Sequence, residues 1–99
     1  MFGLSDDIVK ELCEVFREHS NIDEVLIFGS RAKGNYSTGS DIDLAVKGHN
    51  ISFRELAEIS LQIEKLELLY KVDVLNYYEK IGTPIGAHIE RVAQVFYRK

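Results

Sequence analysis

The chain has 99 residues, 45% of them hydrophobic and 28% charged, the balance of one compact domain with a modest core, and not that of a disordered chain. That length leaves little room for a second substrate-binding lobe. The net charge of −4 argues against an extended nucleic-acid surface, which carries a basic excess, and no apolar run approaches a membrane span.

Met1-Phe2-Gly3-Leu4 runs straight into Asp6 and Asp7, unlike the basic and then apolar start of a signal peptide. Ser5 is a natural N-cap, and acids in the first turn suit the helix dipole. Ile8, Leu12, Val15 and Phe16 follow with helical spacing, and Ser20-Asn21 breaks the pattern. His19, near that end, reads as a helix-terminal cap. Cys13, the single cysteine, cannot form an internal disulfide, which fits a reducing cytoplasm; on a helix it reads as a small buried hydrophobe.

Glu24 to Phe28 is a short, nearly continuous apolar run ending at Gly29, the pattern of a strand covered on both faces. Asp41 to Lys47 predicts a second strand, closed by Gly48-His49-Asn50, with His49 a solvated loop residue. Ser52 then caps a long helix through about Tyr70. One stripe on it is Leu56, Ile59, Ile63, Leu66 and Tyr70, and a second is Ala57, Leu61 and Leu68. So wide an apolar arc means deep packing or a face for another chain.

Lys71 to Leu75 predicts a third strand, and Asn76 to Gly82 an irregular link. Thr83-Pro84 is a helix start, with Thr as N-cap and Pro at the first helical position. Ile85, Ile89, Val92, Ala93 and Phe96 line this last helix, with His88 off the stripe at the surface or core edge. The expected fold is a small α/β (α+β) domain over residues 1–99: a short three-strand sheet with helices packed on one face and the other face open.

The chemistry lies in Phe28-Gly29-Ser30-Arg31-Ala32-Lys33-Gly34 and Ser40-Asp41-Ile42-Asp43-Leu44. Strand residues i and i+2 share a face, so Asp41 and Asp43 project together while Ile42 and Leu44 point to the core. Val72-Asp73-Val74 has the same phase. Pairing the two strands would bring three carboxylates together, which repel one another unless a divalent cation lies between them. Mg²⁺ takes hard oxygen ligands, commonly one or two carboxylates plus phosphates. Gly29 lets the backbone approach a ligand, Ser30 offers a hydroxyl and an N–H, and Arg31 and Lys33 add positive charge.

Phe28 to Leu44, with Asp73 as third acid, resembles the signature of the nucleotidyltransferase superfamily that includes DNA polymerase β. More narrowly, it looks like the minimal nucleotidyltransferase (MNT) group, whose members are about this size and are paired with helical HEPN-domain toxins. The resemblance implies a polymerase β-like fold, with Asp41, Asp43 and Asp73 as catalytic metal ligands for Mg²⁺, as two ions. It also implies that Gly29 and Ser30, with Arg31 and Ser40 beside them, hold the nucleotide, ATP. The implied reaction is transfer of AMP to a tyrosine of a HEPN toxin, making the chain a cytoplasmic antitoxin. Alternatives are a non-catalytic module that masks the toxin sterically, and a nucleotidyltransferase of a small molecule such as an antibiotic. Homo-oligomerisation through the 53–70 helix is a further expectation.

Overall fold

A computed structural model describes residues 1–99. Five helices and four strands follow in the order α1 (Asp6–Arg17), β1 (Ile22–Phe28), α2 (Gly29–Lys33), β2 (Ile42–Gly48), α3 (Phe53–Glu64), β3 (Val72–Asn76), α4 (Tyr77–Lys80), α5 (Pro84–Val92) and β4 (Gln94–Arg98). The sheet order is β3-β2-β1-β4. β1 is antiparallel to both β2 and β4, and β2 runs parallel to β3. The parallel pair is joined by the crossover helix α3, as a parallel connection requires.

The cap signals hold. The Ser5 hydroxyl accepts from the Ile8 N–H at 3.3 Å, Ser52 from Glu55 at 3.0 Å and Thr83 from Gly86 at 3.1 Å. α1 and α3 lie on one face of the sheet, over Val25, Ile27, Ile42, Leu44 and Val46. Leu12 and Phe16 of α1 and Ile59 of α3 are fully buried there, each contributing about 1.5–3 kcal/mol.

The opposite strand phase is open only in part. Leu26, Phe28, Ala45 and Leu75 pack against Ile89, Val92 and Ala93 of α5 or its end. β1 is therefore covered on both faces, as its apolar run predicts, and the open region is confined to the end that carries Asp43 and Asp73.

The sheet has a fourth strand in place of the expected C-terminal extension of the last helix. α5 ends at Val92, and Ala93 turns extended at ψ 147°. Gln94–Arg98 then pairs with the free edge of β1, whose unpaired N–H and C=O groups would otherwise face water. A bulge between Val25 and Leu26 opposes two steps of β4 to one of β1, so that adjacent Phe96 and Tyr97 both reach the main core. The long helix is also shorter than its apolar stripe. α3 stops at Glu64, and Glu67 takes a left-handed φ of 54°, reversing the chain toward β3. Leu66, Leu68 and Tyr70 still pack on the core but from a turn.

Candidate active site

The strand register builds the site. Phe28 of β1 is paired with Asp43 of β2, and Asp43 with Asp73 of β3, in one row across the sheet. Neighbouring strands lie about 4.8 Å apart, so the Asp43 and Asp73 side chains rise next to each other. Asp41 stands two residues before Asp43, in the same phase, just outside β2.

No protein group neutralises this cluster. The four ion pairs of the molecule lie elsewhere, and the carboxylates that accept side-chain hydrogen bonds are Glu18, Glu24 and Glu55. Burial pushes the Asp43 carboxyl above its usual range. The charges of Asp73 and Asp41 push it further, against the opposing pull of His88 and Lys71. A carboxylate left frustrated in this way marks a place where a ligand completes the electrostatics.

Gly29 begins α2 with φ 74°, a conformation that glycine adopts without strain. The position also leaves no room for a side chain, since a Cβ there would run into the Asp43 carboxylate. The glycine and the aspartate are thus packed as one unit. No side chain caps the start of α2, and the Ser30 carbonyl is occupied by the Gly34 and Asn35 N–H groups at 3.0 and 3.2 Å. The half-buried Ser30 hydroxyl sits directly after Gly29, beside the acids.

Arg31 has a different place from the one expected. It is 2% exposed. Its guanidinium donates to the carbonyls of Phe2 at 2.9 Å, Thr38 at 3.2 Å and Ser40 at 3.0 and 3.1 Å. It lies over the rings of Tyr36 and Tyr70, at 5.1 and 4.9 Å. The side chain is spent on pinning the 34–40 loop, a fork geometry that suits arginine. Ser40 belongs to the same arrangement, with its hydroxyl accepting from the Ser37 N–H at 2.9 Å. Arg31 therefore acts on the site at one remove, by fixing the carbonyl that immediately precedes Asp41.

Two basic side chains that the motif does not contain lie toward Asp43. His88 of α5 stands edge-on to Phe28, with centroids 6.3 Å apart at 79°. Lys71 precedes β3, and its carbonyl accepts the Ile42 N–H at 2.9 Å. The helical pattern leaves His88 merely off the apolar stripe; only the seating of α5 on the acidic face brings it to the site.

The donor set suits a divalent cation in its chemistry: three hard, uncompensated carboxylates around one strand pair. No group of three His, Cys, Asp or Glu side chains converges on a single point. That is compatible with Mg²⁺, which commonly takes one or two carboxylates and completes an octahedron with water and phosphate. The site is an open sheet surface. The largest concavity, about 310 Å³ and lined by residues including Ile63, Leu68, Tyr70 and Lys71, lies between α3 and β3 instead.

A four-strand mixed sheet that carries a Gly-Ser turn beside a cluster of three carboxylates is the frame of the polymerase β-like nucleotidyltransferases. The profile of the family described as polymerase beta, nucleotidyltransferase, matches residues 10–99, and the chain belongs to that family. Among solved structures it resembles a Sulfolobus solfataricus protein assigned to the nucleotidyltransferases, at 26% identity and a TM-score of 0.62, over 94% of this chain and 79% of that one. It also shares its fold with a toxin–antitoxin solved with AMP-PNP, at 17% identity, TM-score 0.72, and 92% and 73% coverage. A third is a double Asp-to-Glu mutant of the toxin–antitoxin MntA–HpeT, at 14% identity, TM-score 0.69 and the same coverage. No curated protein sequence matches the chain.

Proposed function

We propose that this chain is an Mg²⁺-dependent nucleotidyltransferase that moves AMP from ATP onto a tyrosine hydroxyl of a HEPN toxin, and so acts as an antitoxin in the cytoplasm. The observation that carries the reading is the row Phe28–Asp43–Asp73, with Gly29 packed on Asp43 and no cation within ion-pair reach. Family membership supports the reaction class. The toxin–antitoxin structures that share the fold, one with AMP-PNP, support the substrate and the kind of partner.

In this reading Asp41 and Asp43 hold the metal, with Asp73 completing one of two sites. A divalent cation held by these carboxylates would supply charge neutralisation for the α-phosphate and the leaving pyrophosphate. Gly29 and Ser30 hold the triphosphate by backbone approach and by the Ser30 hydroxyl. Asp73 receives the acceptor's proton as the tyrosine oxygen attacks the α-phosphorus; the bond to pyrophosphate breaks and AMP stays on the tyrosine. Arg31 positions Asp41 through the Ser40 carbonyl. The open face makes positioning of the acceptor the partner's task, since positioning is a large part of such catalysis.

The test is incubation with α-labelled ATP, Mg²⁺ and the product of the gene neighbouring this one. Label on the partner, lost in Asp43→Asn, is expected; an unlabelled partner with both proteins folded refutes the reaction. A second reading, steric masking, draws on Phe53 at 85% and Leu69 at 100% exposure, apolar groups that suit a docked chain. Neutralisation of the toxin by the double variant Asp41→Ala, Asp43→Ala would favour it.

A further inference from the structure

The Asp41–Asp43–Asp73 cluster needs positive charge, and two basic side chains lie toward Asp43: His88 and Lys71. Lys71 is an exposed residue just before β3, on a long flexible stem. His88 is held. It precedes Ile89, which is fully buried against Phe28 and Ala45. Its ring stands edge-on to Phe28, the strand partner of Asp43 and the residue directly before Gly29. The imidazole therefore sits where the Gly-Ser turn and the carboxylate row meet.

Nothing in the protein uses its nitrogens. The other two histidines are paired with carboxylates, His19 with Glu55 and His49 with Asp23. His88 has no ion-pair partner, and it is in no set of side chains arranged for a metal. An edge-on contact with Phe28 needs only an apolar ring, so packing alone leaves the choice of an imidazole without a reason.

We propose that His88 is a substrate-contacting residue that donates a ring N–H to the β- or γ-phosphate of the nucleotide, opposite the Gly29-Ser30 turn. The proposal rests on the nucleotidyltransferase reading above and adds a residue on α5 to its phosphate site. Two divalent ions offset a triphosphate but not the three carboxylates as well, and a fixed imidazole donor binds the phosphate tail without competing for Asp41 or Asp43. The same contact follows the tail into the pyrophosphate product.

The test is equilibrium binding of AMP-PNP in Mg²⁺ to the wild-type chain, H88F and H88A, with nucleotide-free melting as the control for folding. H88F keeps an aromatic ring beside Phe28 and removes the donor. Loss of one hydrogen bond to a charged group predicts about tenfold weaker AMP-PNP binding in both variants, and a similar loss for inorganic pyrophosphate. Wild-type affinity in a folded H88F, or in a folded H88A if H88F fails to fold, overturns the proposal and leaves the nucleotide site intact. A folded wild-type chain that binds no AMP-PNP overturns the underlying reading, and the His88 contact with it.

Discussion

Replacing Asp43 with asparagine is expected to stabilise the protein while abolishing nucleotide transfer. Asp43 is crowded by Asp73 directly across the parallel ladder and by Asp41 two residues away, and its ionised form is disfavoured by burial first and by those charges next. Like charges placed opposite each other in a sheet are destabilising, and cross-strand pairs are worth about 0.2–1 kcal/mol each. With Asp73 opposite and Asp41 adding its charge from the same segment, the neutral isostere should gain about 1 kcal/mol, or about 4–8 °C in a domain of this size. The sign follows from linkage. The folded carboxyl titrates above its unfolded value of 3.8, so ionising it at neutral pH favours the unfolded chain. Below pH 3.8 both states are protonated, and the penalty vanishes. The assay is thermal melting in EDTA at pH 7 and again near pH 3.5. Asp43→Asn should melt higher at pH 7 and level with the wild type at the acidic value. Adding Mg²⁺ and AMP-PNP should raise the wild-type Tm only. A variant that melts at or below the wild type in EDTA at pH 7 refutes the claim that the carboxylates are electrostatically frustrated.

Gly29→Ala meets both a left-handed φ and the Asp43 carboxylate; a loss of about 1–3 kcal/mol in urea unfolding is expected, together with loss of transfer activity. Arg31→Lys cannot reproduce the fork to Phe2, Thr38 and Ser40. Losing hydrogen bonds from a buried cationic side chain to carbonyls costs about 1–3 kcal/mol, so a lower urea midpoint is expected, with kcat falling as Asp41 loosens. His19 is 9% exposed, with Nδ1 at 2.8 Å from Glu55 and Nε2 at 2.7 Å from Gln62. Burial disfavours its charge, but the hydrogen bonds it donates to the Gln62 and Glu55 oxygens and the charges of Glu55 and Glu58 outweigh this and raise its pKa above 6.5. Its stabilising charge is therefore fully present below pH 6.5 and lost as pH rises through the raised value. The Tm gap between wild type and His19→Ala should shrink from pH 6 to pH 9.

Helix starts were legible because their signals are local. Ser5, Ser52 and Thr83 each satisfy an N–H three residues on, whatever the rest of the chain does. Helix ends were less so. No glycine or proline marks the stop of α3, and the stripe through Leu66 and Tyr70 is the same whether those residues pack from a helix or a turn. The C-terminal strand was hidden for a similar reason: Phe96 fits the period of α5, and only the unpaired edge of β1 turns Gln94–Arg98 into a strand.

The primary sequence by itself determined the carboxylate row's chemistry and phase. A D-x-D and a V-D-V put all three acids opposite the core-facing side chains, since strand alternation is a property of the backbone. It also determined that glycine precedes serine at the end of β1. The tertiary structure decided what surrounds them. Register joined Phe28, Asp43 and Asp73 and set Asp43 against Gly29. Burial took Arg31 away from the Gly-Ser turn and made it the pin of the loop before Asp41. The docking of α5 on the acidic face brought in His88. These are long-range contacts between residues far apart in the chain, and no local spacing encodes which face a distant helix will cover.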